Sequence, residues 1–75
     1  MTYLGLSPRE CEVMEAISLG LTNRQAAAEL DVTVHAVKFH LASIYRKLGV
    51  ANRTQAVAMF VREETPLSLE EAVAD

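Results

Sequence analysis

The sequence predicts an all-α fold, a compact four-helix domain that takes up most of the chain. Three observations support this prediction. Four segments each begin with a helix-capping residue and continue with apolar residues spaced three and four apart. No segment of useful length alternates apolar and polar residues as a strand does. The 75 residues, 51% of them hydrophobic, suffice for one domain and leave no room for a separate catalytic lobe.

The first helix is predicted to begin at Pro8 and to stop before Gly20. The segment Ser7–Glu10 is a capping box with proline at the first helical position. Gly20 is a typical residue for the end of a helix. The residues that follow the box on one face, and are predicted to be buried, are Val13, Met14 and Ile17.

The second helix is predicted to begin after Thr22, which forms a second capping box with Gln25, and to continue to about Leu30. Its inward residues are Ala26, Ala27 and Leu30. Ala27 is small enough to let the next helix approach closely. Asp31 lies where such a turn often needs left-handed backbone, which Asp tolerates better than most residues.

Thr33 caps the third predicted helix, and Gly49 ends it. Its apolar residues have spacings of three, four, three and four, which predicts a narrow buried stripe of Val34, Val37, Leu41, Ile44 and Leu48. The second helix, the tight turn and this longer helix together have the pattern of a helix-turn-helix unit.

Asn52 caps a fourth helix from about Arg53 to Arg62, with Gln55 three residues after the cap. The segment from Ala56 to Val61 is apolar around its whole circumference, and so small a domain can bury only one side of it. The remainder is a candidate homodimer interface, formed by Thr54, Ala58 and Val61. The alternative is a helix wrapped more deeply, for example by the C-terminal tail.

The charges divide the chain into a domain of residues 1–63 and an acidic C-terminal tail of residues 64–75. Residues 1–62 hold seven basic and five acidic side chains, a charge of +2, whereas residues 63–75 hold five acids and no base. Thr65-Pro66 is expected to break the fourth helix. The tail is expected to form one weak turn, to be disordered, or to form a turn on a partner. The modest positive charge predicts weak binding of nucleic acid by one copy.

The outer face of the third helix is the candidate surface for double-stranded DNA, because an α-helix fits the major groove. Lys38 can donate to guanine acceptors, whereas Phe39 and Ala42 can contact a thymine methyl. The predicted base contacts are His35, Lys38, Phe39 and Ala42. An ordinary solvated face is the alternative, and it applies most to Arg46 and Lys47.

Helix N-termini supply free N–H groups to phosphates. The predicted phosphate contacts are Thr22, Asn23, Arg24, Thr33, Arg46 and Lys47. Plain capping is the alternative for Thr22 and Thr33, and the two roles are compatible.

The residues give no sign of an enzyme, a metal site or a cofactor. Cys11 is a lone cysteine, which excludes an internal disulfide and a cysteine-based zinc site. His40 is expected to be packed and hydrogen-bonded rather than a metal ligand. No catalytic triad or phosphate-binding glycine loop is present. No secretion signal or membrane-length apolar run occurs, so a cytoplasmic protein is expected.

The chain resembles the LuxR-type DNA-binding domain, also called FixJ/NarL or GerE-like. The matching segments are Leu6–Glu10, Gly20–Ala27, Val37–Leu41, Arg46–Val50 and Asn52–Val57. The resemblance implies a tetrahelical bacterial transcription regulator that dimerises through its last helix and binds inverted repeats. It also implies base contacts from Lys38, Phe39 and Ala42, and phosphate contacts from Thr22, Asn23, Arg24 and Lys47.

The predicted function is therefore sequence-specific DNA binding that regulates transcription, with RNA polymerase as a further candidate partner. The alternative is a helix-turn-helix module that binds a regulator or a polymerase subunit and has weak or no DNA affinity. The acidic tail, the low positive charge and Phe39 support that alternative. Domains of this family normally follow a receiver or ligand-sensing domain, so a stand-alone regulator and a fragment of a longer one both remain open.

Overall fold

A computed structural model describes residues 4–64, and the side chains of residues 4–63. This part of the chain contains four helices: α1 (Pro8–Ser18), α2 (Asn23–Leu30), α3 (Val34–Leu48) and α4 (Arg53–Glu64). The predicted all-α fold class is confirmed. The fourth helix is longer than predicted, since it continues two residues beyond Arg62. The predicted break at Thr65-Pro66, and the predicted tail beyond Glu64, lie outside the described residues.

Reciprocal hydrogen bonds start the first two helices, as predicted. The hydroxyl of Ser7 accepts from the N–H of Glu10 at 3.1 Å, and Glu10 Oε1 accepts from the N–H of Ser7 at 2.8 Å. Thr22 and Gln25 repeat the exchange at 3.0 and 2.9 Å. Each box satisfies two N–H groups that an α-helix cannot pair internally.

The turn between α2 and α3 depends on left-handed backbone at Asp31, which has φ 58° and ψ 46°. This conformation lets the N–H of Val32 donate to the carbonyl of Ala27 at 2.9 Å and closes the end of α2. Thr33 then caps α3 by accepting from the N–H of Ala36 at 3.0 Å. Two residues between the helices, Asp31 and Val32, thus separate α2 from the cap of α3.

The described helices share one core, and α1 and α3 each pack against the other three helices. Its buried apolar residues are Leu6, Val13, Met14, Ala16, Ile17, Ala26, Ala27, Val37, Leu41, Ile44, Ala56 and Phe60. The predicted stripe of α3 is buried at its centre and half-buried at its two ends. Leu30, predicted to face inward, is half-buried and packs against the core.

The described part of α4 has two distinct sides. Ala56 and Phe60 are buried, whereas Thr54, Ala58 and Val61 are exposed. The exposed side is the one that the sequence predicted to remain outside the core. None of the described helices combines the length and apolar character needed to span a membrane.

Replacing Asp31 by Gly is expected to stabilise the domain by about 0.5–1 kcal/mol, because glycine adopts left-handed backbone without the steric cost that a side chain adds. Urea unfolding followed by circular dichroism measures the change. The matched control is Ala28→Gly, an exposed position inside α2. There the same new residue is expected to cost about 1 kcal/mol. Equal effects of the two substitutions would contradict this account of the turn.

Candidate nucleic-acid interface

The outer side of α3 is open to solvent along its length. The exposed side chains on it are His35, Lys38, Phe39, Ala42 and Arg46. The opposite side of the same helix buries Val37, Leu41 and Ile44 in the core. Because these inner residues fix the rotation of α3 about its axis, the outer side chains form one defined surface.

Phe39 is the most unusual residue of this surface, since 68% of it is accessible to solvent. Its ring lies against that of the half-buried His40, with ring centroids 5.9 Å apart and ring planes at 68°. This edge-to-face contact is a favourable aromatic geometry and gives the exposed ring a fixed neighbour. A large apolar group held outward in this way is suited to contact with a partner.

The start of α2 combines side-chain and backbone hydrogen-bond donors. The hydroxyl of Thr22 accepts from Gln25, and helix geometry leaves the N–H groups of Asn23 and Arg24 without intrahelical partners. At the start of α3, the hydroxyl of Thr33 likewise accepts from the N–H of Ala36. Two helix N-termini with free donors and partial positive charge are well suited to bind phosphate.

Arg53 joins the start of α4 to the start of α2, a contact that sequence reasoning missed. Its guanidinium donates to the side-chain oxygen of Asn23 at 2.9 Å and to the carbonyl of Leu21. Since a guanidinium only donates, the side-chain oxygen of Asn23 faces Arg53 and the NH₂ group is left as a donor. Arg53 thereby positions a predicted phosphate-binding residue. No local periodicity could have revealed a contact between residues 30 positions apart.

Lys47 is placed differently from the other predicted phosphate-binding residues. Its ammonium donates to Glu10 Oε1 at 2.8 Å, which ties the end of α3 to the start of α1. The side chain of Glu10 is 6% exposed, and that of Lys47 is 43% exposed. A phosphate at Lys47 would share the ammonium with this carboxylate, and the contact remains a prediction.

The carboxyl group of Glu10 is ionised well below neutral pH. Burial raises its pKa, but hydrogen bonds from Lys47, the backbone of Ser7 and the side chain of Ser43, together with the charge of Lys47, outweigh burial. The net result lowers the pKa of Glu10 from 4.5 to about 2. From the sequence, Glu10 was predicted only as part of the capping box, and its second role in the ion pair was missed.

The other cations of the candidate interface are unpaired within the part of the chain that the structure describes. Arg24, Lys38 and Arg46 are exposed and form no ion pair there. Arg9, by contrast, pairs with Glu12 at 3.1 Å on the surface of α1. Three cations on α2 and α3 are therefore available to neutralise phosphates.

The polar side chains of the described residues form no metal site. Among residues 4–63, no three His, Cys, Asp or Glu side chains are grouped so that they could hold a metal ion. His40 is half-buried, and Cys11 is free and half-buried.

This geometry defines a class of protein: a helix-turn-helix domain with an exposed third helix, flanked by helix N-termini. Residues 4–60 match the family model for bacterial regulatory proteins of the luxR family. The chain belongs to this family, and the resemblance predicted from the sequence is confirmed.

Curated relatives are transcription regulators of bacteria. Over 56 residues the chain is 46% identical to the probable transcriptional regulatory protein SgaR of Hyphomicrobium methylovorum, covering 75% of this chain and 26% of SgaR. It is 47% identical over 53 residues to the quorum sensing-dependent regulator RpaR of Rhodopseudomonas palustris, covering 71% of this chain and 22% of RpaR. The chain therefore spans about a quarter of the length of these relatives.

A solved structure supports the same assignment. The crystal structure of ChrA, the response regulator of a heme-sensing two-component system, matches with a TM-score of 0.70 and 46% sequence identity. The match covers 77% of this chain and 29% of that chain.

Glu10→Gln is expected to lower the free energy of unfolding at neutral pH by about 2 kcal/mol. Gln serves at the same position of the box at Thr22, so the substitution keeps the cap and removes the charge. Folding lowers the pKa of Glu10. Its contribution to the free energy of unfolding is therefore complete above about pH 4.5 and is lost as the pH falls toward 2. Urea unfolding at several pH values should therefore show a shallower acid dependence in the variant.

The control for this experiment is Glu12→Gln, which removes a more exposed carboxylate of the same helix. That variant is expected to stay within about 0.5 kcal/mol of the wild type at neutral pH. An acid dependence of Glu10→Gln identical to that of the wild type would show that the ion pair does not stabilise the fold.

Proposed function

We propose that the chain binds a specific site in double-stranded DNA as a homodimer and regulates transcription, without enzymatic activity. Each copy inserts α3 into the major groove of one half of an inverted repeat. The observation that carries the proposal is the two-sided character of α3, which buries Val37, Leu41 and Ile44 and exposes Lys38, Phe39 and Ala42. A cytoplasmic location follows from binding to bacterial DNA.

Base recognition is assigned to the exposed side chains of α3. The ammonium of Lys38 donates to O6 and N7 of guanine, and Phe39 and Ala42 contact thymine methyl groups. His35 lies one turn before Phe39, at the N-terminal end of α3, and this end enters the groove first. This division predicts a half-site that contains both a G·C and an A·T pair.

Phosphate binding is assigned to the two helix N-termini and the neighbouring cations. Thr22, Asn23 and Thr33 donate from the starts of α2 and α3, and the unpaired cations Arg24 and Arg46 add charge. Lys47 contributes by sharing its ammonium between Glu10 and a phosphate. Such contacts fix the register of a protein on the duplex and carry no sequence information themselves.

Dimerisation is assigned to the exposed side of α4. Thr54, Ala58 and Val61 lie three and four residues apart on this helix and are all exposed. Small side chains at such positions let two copies of the helix approach closely in a two-fold dimer, so that one surface contacts itself. Two copies also double the phosphate contacts, which compensates for the low positive charge of one copy.

The second candidate function is a protein-interaction module that uses the same face of α3. The exposure of Phe39 favours it, because exposed aromatic residues are enriched where proteins bind proteins. A subunit of RNA polymerase or another regulator would be the partner. The DNA-binding function ranks first because Arg24, Lys38 and Arg46 are cations without ion-pair partners among the described residues.

Lys38→Ala is expected to weaken binding to the selected DNA site by about 1–3 kcal/mol and to relax the preference at one base pair. The site is first selected from random DNA, and affinities are then measured by fluorescence anisotropy on the site and on its single-base variants. The matched control is Arg24→Ala, which should weaken binding to all sequences equally and lower the salt slope by about one. Unchanged affinity of Lys38→Ala would reject the groove contact.

The same selection separates the two candidate functions. Enrichment of a defined sequence whose binding weakens steeply with salt supports DNA recognition. If no sequence is enriched and the salt response is flat, the DNA-binding proposal is wrong and the protein-interaction module takes its place.

Ala58→Glu is expected to separate the dimer, because a buried, unpaired charge at the interface is costly. Sedimentation velocity should show a shift toward monomer, and affinity for an inverted repeat should fall to that for a single half-site. The control is Ala28→Glu, the same change at an exposed position of α2. A dimer that survives Ala58→Glu would rule out α4 as the interface.

A further inference from the structure

A groove between α1 and α2 remains outside the function proposed above. It is open to solvent and has a volume of about 480 Å³, comparable with that of small-ligand pockets. Its lining residues are Glu12, Glu15, Ala16, Leu19, Leu21, Glu29 and Leu30. These residues belong to α1, to α2 and to the loop between them.

One part of the lining of this groove is apolar and the other part is acidic. Ala16, Leu21 and Leu30 are buried or half-buried, whereas Leu19 is 81% exposed at the end of α1. Leu19 therefore extends the apolar surface of the groove into solvent, where a partner can contact it. The glutamates of the groove are all exposed, and Glu15 and Glu29 have no ion-pair partner among residues 4–63.

The charge of the lining decides what can occupy the groove. Glu15 and Glu29 repel phosphate, whereas Arg9 balances the charge of Glu12, so the net negative charge of the lining disfavours DNA. Residues 63–75 of the same chain carry five acids and no base, so they are excluded for the same reason. Among the described lining residues there is no Lys or Arg, and the complementary ligand is therefore cationic with an apolar centre.

We propose that the groove between α1 and α2 binds a segment of a partner protein in which an aliphatic or aromatic side chain is flanked by Lys or Arg. The apolar side chain lies against Leu19, Leu21 and Leu30. The flanking cations pair with Glu15 and Glu29, which keeps the segment in one orientation.

This surface is separate from the one assigned to DNA. The lining described above includes no residue of α3, and none of the residues assigned to base or phosphate contacts. One copy of the domain can therefore hold DNA and the cationic segment at the same time. The groove would connect a DNA-bound domain to a second protein, and its occupancy can be tested without DNA.

The test is selection of peptides of about 12 residues from a random phage library on the immobilised full chain. A selected peptide is then synthesised and titrated into the ¹⁵N-labelled chain. The expected sequences carry Leu, Ile or Phe flanked by Lys or Arg, and the expected NMR shift changes centre on Leu19, Leu21, Glu29 and Leu30. Peptides without basic enrichment, or shift changes centred on α3 or on residues 63–75, would overturn the proposal.

Two variants of the groove make the test specific. Leu19→Ser removes an exposed anchor with little effect on folding, and Glu15→Gln with Glu29→Gln removes two charges. Each variant is expected to weaken binding of the peptide two- to fivefold, which is the effect of losing partly exposed contacts. The matched control, Phe39→Ser, removes the exposed aromatic of α3 and should leave peptide affinity unchanged.

Equal loss in all three variants, or no loss in any, would contradict the proposal. A second copy of the chain is the competing occupant, and sedimentation distinguishes it. If the wild type forms a dimer that Leu19→Ser dissociates, the groove is a self-association surface and the assignment to a cationic partner is wrong.

Discussion

The buried carboxylate of Glu10 ties the start of α1 to the end of α3 through Lys47, 37 positions away. It is the one charged side chain among the described residues that the core encloses, and it accepts both from the backbone of Ser7 and from Lys47. A buried charge is costly unless hydrogen bonds and an opposite charge compensate it, so α1 and α3 keep one relative position. Together with the burial of Val37, Leu41 and Ile44, that position determines which residues of α3 are left outside. The candidate interface therefore depends on a carboxylate that lies outside it.

A second contact from outside fixes the other half of the helix-turn-helix unit. Arg53 at the start of α4 donates to Asn23 and Leu21 at the start of α2, while Asp31 sets the turn that leads into α3. The two N-termini assigned to phosphate are thus held by α4 and by the turn. Preorganised donors lose little conformational entropy on binding, which matters for a domain whose first 62 residues carry a charge of only +2.

Local features of this fold were predictable from the sequence, and long-range polar contacts were not. Capping boxes and the spacing of apolar residues placed all four helices, because these signals act within one or two turns. The ion pair between Glu10 and Lys47 joins residues 37 positions apart. Glu10 already had a complete explanation in its capping box, so the sequence left nothing to suggest a second partner. The groove was missed for a similar reason, since Glu15, Leu19 and Glu29 each look like ordinary surface residues until α1 and α2 are packed.

The distribution of charge reconciles a net charge of −3 with the binding of DNA. Arg24, Lys38 and Arg46 are exposed on α2 and α3, whereas Glu12, Glu15 and Glu29 border the groove between α1 and α2. Because salt screens charges beyond about 10 Å, a duplex at α3 responds mainly to the nearby cations. The glutamates of the groove instead influence the orientation in which a duplex approaches the domain, because they repel it from that side. A chain that is acidic as a whole can in this way present one face to DNA and keep another for a cationic protein.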